Sequence, residues 1–354
     1  MSSFDRSPVL AVLRELARTP PALPRRPVPF AVPLAAFVAV AAVLAGWAPR
    51  LLGDPDTLWH VRFGLSILDS GRLPQVDSWS WTMAGAPWIA KEWLSQVLFA
   101  LAFRLAGWSG VVILAIATLA AAMAVLTHEA AARLGAIGAA VVFYVVGMLI
   151  AGHVLARPHL LAWLPMVVWT VALTRAAEAP RAPSALLLPV MVIWANLHGS
   201  FLLGLALVPV FAVEAVLRGE PAARRRLAFG WTAFLAASLT ASLIHPYGLD
   251  ALRAAVSVLR LGAGTASIGE WAPTDFSTIG PMEMILLGGI AALGWFGARL
   301  APVRLATALG LAHMALAHMR HLPVFGLVGA VVLVEPVARA LGATGLGLRS
   351  WRPP

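Results

Sequence analysis

Residues 28–56, VPFAVPLAAFVAVAAVLAGWAPRLLGDPD, run from a long uncharged stretch into a pair of carboxylates. From Val28 to Trp47 the chain is apolar for long enough to cross about 30 Å of hydrocarbon as a helix, and for too long to be the core of a cleaved signal. Comparable runs recur to the end of the sequence, parted by short joints that carry Arg or Pro. A segment that meets no water must satisfy its backbone internally, so the spans are expected to be helices. Composition agrees: 60% of residues are hydrophobic and 12% charged, the latter about half the share of a soluble domain, and the mean hydropathy is +0.84. The fold class expected is all-α, a polytopic membrane protein with about 10 to 11 transmembrane helices.

Spans are expected near 28–48, 109–127, 136–155, 158–175, 184–197, 199–217, 227–244, 281–298, 303–318 and 322–340. With residues 1–27 and 341–354 in the cytoplasm, the membrane domain runs over 28–340, with outer loops at 49–108 and 245–280. Arginine tests that topology. The inner segments carry Arg6, Arg14, Arg18, Arg25, Arg26, Arg133, Arg175, Arg181, Arg218, Arg224, Arg225, Arg226, Arg299, Arg304, Arg339, Arg349 and Arg352. That is 17 of the 26 basic residues, as the positive-inside bias requires. The net charge of +10 is therefore read as a topology signal and gives no nucleic-acid partner. Trp93 to Ala106, which contains Arg104, is read as a helix at the outer leaflet, because counting it as a span would put Arg224, Arg225 and Arg226 outside. With no cysteine, disulfides, thiolate metal sites and a Cys nucleophile are excluded.

The same topology gathers the unusual polar groups at one face. Residues 53–96 hold Asp54, Asp56, Asp69, Asp77 and Glu92, five of the 16 acidic residues, together with His60, Arg62, Arg72, Lys91 and five tryptophans. Arg157 and His159, Asn196 and His198, His245, Glu270 with Asp275, and His318, Arg320 and His321 fall in joints on that side. Polar turns at membrane depth are tolerated where they line protein or a wet cavity, so an outward cavity is expected. Two carboxylates flanking Pro55 are suited to share a divalent cation, Mg or Mn, or to let one act as base beside the other. Leu58, Val61, Leu65 and Leu68 share a stripe of the helix that follows, which is expected to lie flat on the bilayer. Arg157 and Arg320, with His318 and His321, are candidates for binding a phosphate, and Arg320 equally for reaching to headgroups. His60, Asp77, Glu92, His159, Asn196, His198, His245 and Glu270 are candidates for binding the rest of the substrate. Glu92 can also serve as a helix cap, and His198 and His245 as turn residues. The amphipathic stretch 248–262, with Arg253 and Arg260, is expected at the interface.

The pattern D-P-D-T-L-W-H from Asp54, G-L-S-I-L-D-S-G-R-L-P-Q-V-D-S-W-S-W-T from Gly64 and G-A-P-W-I-A-K-E-W-L-S-Q from Gly85 resembles the first outer loop of GT-C class integral membrane glycosyltransferases. It is similar to the bacterial mannosyl- and aminoarabinose-type enzymes that use polyprenyl-phosphate sugars. W-A-N-L-H-G at 194–199 and H-P-Y-G at 245–248 resemble turns in the same group. The resemblance implies a polyprenyl-(di)phosphate sugar donor and transfer to an envelope lipid, glycan or protein acceptor. It places the acidic motif on Asp54 as base and Asp56 as partner or metal ligand, at the extracytoplasmic face of an inner membrane. Ala-, Arg- and Leu-rich usage with a single lysine suggests a bacterial host. Two other classes stay open: a transporter or flippase for lipid-linked substrates, and a non-catalytic membrane assembly subunit.

Overall fold

Proline and glycine set the element boundaries throughout the computed structural model, which describes residues 22–258, 268–296 and 300–343. The expectations for Arg6, Arg14, Arg18, Arg260, Arg299, Arg349 and Arg352 lie outside the described residues. Twelve α-helices are described: α1 (Ala31–Gly46), α2 (Ala48–Leu51), α3 (Pro55–Ser70), α4 (Trp93–Ile150), α5 (Pro158–Glu178), α6 (Leu188–Leu197), α7 (Phe201–Arg218), α8 (Arg224–Ser242), α9 (Gly248–Val258), α10 (Pro281–Phe296), α11 (Pro302–Ala317) and α12 (Leu322–Ala343). Among the described residues the only extended pairing is an isolated bridge between Val76 and Pro87. Proline stands in the first turn of α2, α3, α5, α6 and α11, where its fixed φ suits the helix and its missing N–H is not required.

The fold is all-α. Four of its helical stretches are long and apolar enough to cross a membrane, Trp93–His153, Pro158–Glu178, Phe201–Arg218 and Met319–Gly342; Ala31–Gly46, Ala185–Leu197, Pro281–Trp295 and Pro302–Ala317 are apolar but shorter. Of the ten expected spans, these coincide with all but 227–244, which is the less apolar α8.

The longest helix is not a rod. Ala106 (φ −148°), Gly107 (φ 59°) and Gly135 (φ 76°) leave helical geometry and divide α4 into the pieces 93–105, 108–134 and 136–150. Positive φ costs glycine little and other residues more, so the direction changes fall at these two glycines. After the first break the chain doubles back, and a Cβ on Gly110 would stand 2.0 Å from the carbonyl oxygen of Ala102. The expected separation of 93–106 from the following span is thus present as a sharp turn within one helix.

α4 packs against α1, α3, α5 and α12, and α7 pairs with α8 and α5. One apolar core joins these helices, with Trp163, Trp169, Trp194, Phe211 and Trp231 fully buried in it. In lipid such association rests on close packing and interhelical hydrogen bonds. Gly204 shows both: its missing side chain leaves room for the Trp194 ring, and its carbonyl accepts from Trp169 Nε1 at 2.9 Å.

α3 packs on the protein with a face other than its leucine stripe. Its buried face is Thr57, His60, Val61, Phe63, Gly64 and Ile67, directed at the first piece of α4. Leu58 is exposed and Leu65 and Leu68 only half-buried. A small residue decides this: a Cβ on Gly64 would fall 1.9 Å from the Gln96 carbonyl oxygen, so the helices touch backbone to backbone there. Arg104 closes the same contact from its far end with an ion pair to Asp69.

Candidate active site

Backbone contacts assemble the site before any side chain does. The Ala156 N–H donates to the Leu51 carbonyl at 2.8 Å, fixing the turn before α5 against the end of α2. That places Arg157, the N-cap residue of α5, beside Asp54, the N-cap residue of α3. Asp54 Oδ1 accepts from the Asp56 N–H at 2.8 Å, a capping bond that orients the carboxylate.

Arg157 is the hub. Its Nη1 lies 3.5 Å from Asp54 Oδ2 and 3.4 Å from Glu270 Oε2, and its Nη2 pairs with Asp56. Arg320 approaches the other oxygen of Glu270 at 3.7 Å and stacks over the Trp271 ring at 4.2 Å, a cation–π contact. The segment that carries Glu270 is sewn to the turn that carries Arg320: Thr274 N–H donates to the Leu316 carbonyl at 3.0 Å, Met319 N–H to the Ala272 carbonyl at 2.9 Å, and His318 Nδ1 lies 2.6 Å from the Trp271 carbonyl. Glu270 is therefore a bridge between two arginines and not a solvated loop residue, while Asp275 only closes a turn on Ser277.

A second set of bonds brings in Glu92 and His198. Trp93 Nε1 donates to Asn196 Oδ1 at 2.7 Å, and Ser95 Oγ to the Leu197 carbonyl at 2.8 Å. Glu92 precedes Trp93, His198 follows Leu197, and their side chains stand 3.6 Å apart. The cap role expected of Glu92 is absent, because its carboxylate makes no bond to the helix start. Burial raises its carboxyl above the usual range, against the pull of Lys91, Arg157 and Arg320. Burial, with nearby positive charge, also holds His198 well below its ordinary value and pushes His60 down to about 3. His159 stands beside His198, ring centres 6.4 Å apart.

Asp54, Asp56, Glu92, Arg157, His159, His198, Glu270 and Arg320 thus share one neighbourhood, with His60 reached through Gln96 at 3.4 Å. His318 and His321 adjoin it, rings 5.8 Å apart and each held by a backbone carbonyl. Three expected site residues have structural employment. Asp77 caps a turn through the N–H groups of Trp79 and Ser80, and the Ser80 hydroxyl, with those N–H groups, holds its carboxyl below the usual range. Asn196 donates to the Val192 and Ile244 carbonyls and accepts from Trp93, and so positions its neighbour His198. His245 contacts the Lys91 carbonyl and accepts from the Tyr247 N–H. Two shallow depressions of the surface lie elsewhere, along α3 beside Trp79. At the expected cavity the side chains of opposite charge pair with one another and stay partly exposed.

A divalent cation at Asp54 and Asp56 would have to displace the Arg157 guanidinium. Both carboxylates are directed at the Arg157 guanidinium, and among the described residues no group of three or more His, Asp or Glu is placed to hold a metal ion. Mg is commonly held by one or two carboxylates together with substrate phosphates, so an ion at this pair would also need the phosphate of the substrate.

Sequence reading missed a second cluster. Glu178 pairs with Arg25, Arg133 and Arg304; Glu129 with Arg25 and Arg175; Glu214 with Arg304 and Arg218; Glu335 with Arg339. In the sequence these arginines read as topology signals alone. Glu178 ends α5, Arg157 begins it, and at about 1.5 Å per residue the two clusters lie about 30 Å apart. That matches the thickness of the hydrocarbon layer. No family model, curated protein or solved structure matches the chain. Its function must be argued from the site.

Proposed function

We propose that the chain is a membrane glycosyltransferase of GT-C type, which moves a sugar from a polyprenyl-(di)phosphate donor to an envelope lipid, glycan or protein. The observation that carries this reading is the pairing of Arg157 with Asp54, Asp56 and Glu270, with Arg320 on the far side of Glu270. Cations held by carboxylates at one end of a bundle of apolar helices suit a substrate whose charged phosphate ends in a hydrocarbon tail. The tail has lipid-facing helix surfaces to follow, and the phosphate finds donors where the helices end.

In this reading the acceptor hydroxyl or amine gives its proton to Asp54 as it attacks the anomeric carbon. The bond from that carbon to the phosphate oxygen breaks, and the phosphate leaves with the electron pair. Arg157 and Arg320 supply the donors for that charge; arginine's fixed fork suits phosphate oxygens. Asp56 and Glu270 keep the guanidiniums in place until the phosphate competes for them.

The polar groups also speak against a transporter. Such proteins place their sites near the membrane midplane, whereas here the charges gather at the two ends of α5 and its middle carries buried Trp163, Met166 and Trp169. Mass spectrometry of envelope lipids and glycans tests the proposal. Cells carrying the wild type should contain a glycosylated species that is missing with Asp54→Asn at equal expression. Identical profiles for wild type, variant and deletion would end the transferase reading.

A further inference from the structure

Arg157 and Arg320 make one side of the site cationic, and the other side is built from different chemistry. At its centre is Glu92, half-buried, with no capping bond and with His198 Nε2 as its neighbour at 3.6 Å. The histidine is fixed in one tautomer. Its Nδ1 accepts from the Ser200 N–H at 3.1 Å and lies 2.9 Å from the Ser200 hydroxyl, which itself accepts from Trp194 Nε1 at 3.0 Å. The ring proton therefore sits on Nε2, toward Glu92.

The surrounding groups are also neutral and oriented. His159 Nε2 lies 3.0 Å from the His153 carbonyl, so it carries the proton and leaves Nδ1 as an acceptor. His60 Nδ1 faces the Gln96 amide nitrogen at 3.4 Å, which leaves the proton on its Nε2. Gln96 Oε1 and Thr57 Oγ1 are buried without a partner. Gln96 follows Glu92 by one helical turn, and Thr57 precedes His60 by one. Buried polar atoms in native proteins are nearly always satisfied, so this side is short of partners.

A phosphate, which only accepts, gains little from such a surface and is repelled by Glu92. Sugar hydroxyls each donate and accept, and adjacent hydroxyls on a ring can both donate to one carboxylate. We infer that the side of the site formed by Glu92, His198, His159, His60, Gln96 and Thr57 holds the sugar ring of the donor, with Glu92, set by His198, accepting from a pair of ring hydroxyls. This rests on the transferase reading and adds to it a division of labour: phosphate on the arginines, sugar on the uncharged wall with its single carboxylate.

The test compares two probes on the full chain in lipid nanodiscs, undecaprenyl phosphate and undecaprenyl phosphate bearing glucose or mannose. Wild type should bind the sugar-bearing lipid more tightly. Glu92→Gln, isosteric and uncharged, should reduce that preference about tenfold, as loss of hydrogen bonds to a charged group does, while affinity for the bare lipid holds or rises as the repulsion of its phosphate is relieved. His198→Asn should act in the same direction and more weakly. Thermal midpoints in the same nanodiscs identify a variant that fails to fold, and Glu92→Ala then provides a second substitution for the same comparison. Equal loss for both lipids, or no loss for either, overturns the inference. A wild type that binds both lipids equally overturns it while the transferase reading stands; one that binds neither removes both.

Discussion

Arg157 has three carboxylate partners from two separate segments of the chain, and each would be left facing the others if it were removed. Arg157→Met should therefore do more than weaken phosphate binding. Transfer is expected to fall by about a hundredfold or more, the scale of losing a charged donor to the transition state, and Arg157→Lys should recover only part of it because the fork is lost. Initial rates in proteoliposomes, set against bare undecaprenyl phosphate affinity, measure both effects. Acid should act through the histidines. Burial pushes His60 down to about 3 and holds His198 well below its ordinary 6.5, so the unfolded chain binds protons there that the folded chain refuses. Stability from this source is complete above about pH 6.5 and is lost as pH falls below it. The apparent melting temperature in nanodiscs should drop from pH 7 to pH 5, and His60→Gln should flatten that drop; an unchanged slope would show that His60 is not buried neutral. Residue types revealed the charged side of this site, since arginine beside proline in a membrane joint stands out. On the tautomer-fixed side Glu92, His198, His159 and His60 were legible too, whereas Ser200, Gln96 and Thr57 look ordinary in sequence and gain meaning only through their place in the fold.

At the scale of elements, the contact between α3 and the first piece of α4 holds the acidic motif in place. A Cβ on Gly64 would meet the Gln96 carbonyl oxygen at 1.9 Å, its carbon at 2.4 Å and the Ala100 methyl at 2.8 Å. Backbone cannot yield as a flexible side chain can, so Gly64→Ala must push the helices apart. A loss of about 1–3 kcal/mol is expected, the usual cost of overpacking, together with faster proteolysis between Asp54 and Glu92. Gly147→Ala, where nothing stands within 4 Å, is the control and should be neutral or slightly stabilising. A melting temperature equal to wild type in Gly64→Ala would mean the two helices are not in contact. The breaks in α4 were legible, because Gly107 and Gly135 interrupt apolar runs beside Arg104 and Arg133. The buried face of α3 was not. Of its apolar stripe, Leu58, Val61, Leu65 and Leu68, only Val61 lies on the face that packs, which sets the small or polar Thr57, His60 and Gly64 beside Phe63 and Ile67. Hydropathy finds the greasiest side of a helix, whereas close approach selects the smallest.

The whole molecule is a bundle with an ionic cluster at each end, and the two have different characters. At the end of α5 opposite to Arg157, Arg304 is 1% exposed and donates to both Glu214 and Glu178 and to the Val332 carbonyl, joining α5, α7, α11 and α12. Removing one member of a buried ionic group leaves its partners uncompensated, at a cost of about 3–5 kcal/mol. Arg304→Met should lower the melting temperature clearly, while Arg225→Met, at an exposed position, should not. None of this followed from the sequence, where Glu178 and Arg304 are 126 positions apart and each looks like a joint residue. The expected orientation, with the Arg157 cluster outside and the Glu178 cluster inside, can be tested directly. Because the chain has no cysteine, single substitutions report accessibility without background. Trp81, 97% exposed in the loop before Glu92, and Glu220, exposed beyond the end of α7, belong to opposite ends. In intact cells a membrane-impermeant maleimide should label Trp81→Cys directly and Glu220→Cys only after permeabilisation. Reversal of the two would turn the site toward the cytoplasm, where a donor and acceptor of a different kind would have to be sought. Equal labelling of both from one side would mean that α5 does not cross the bilayer, and the division of the molecule into two faces would fail with it.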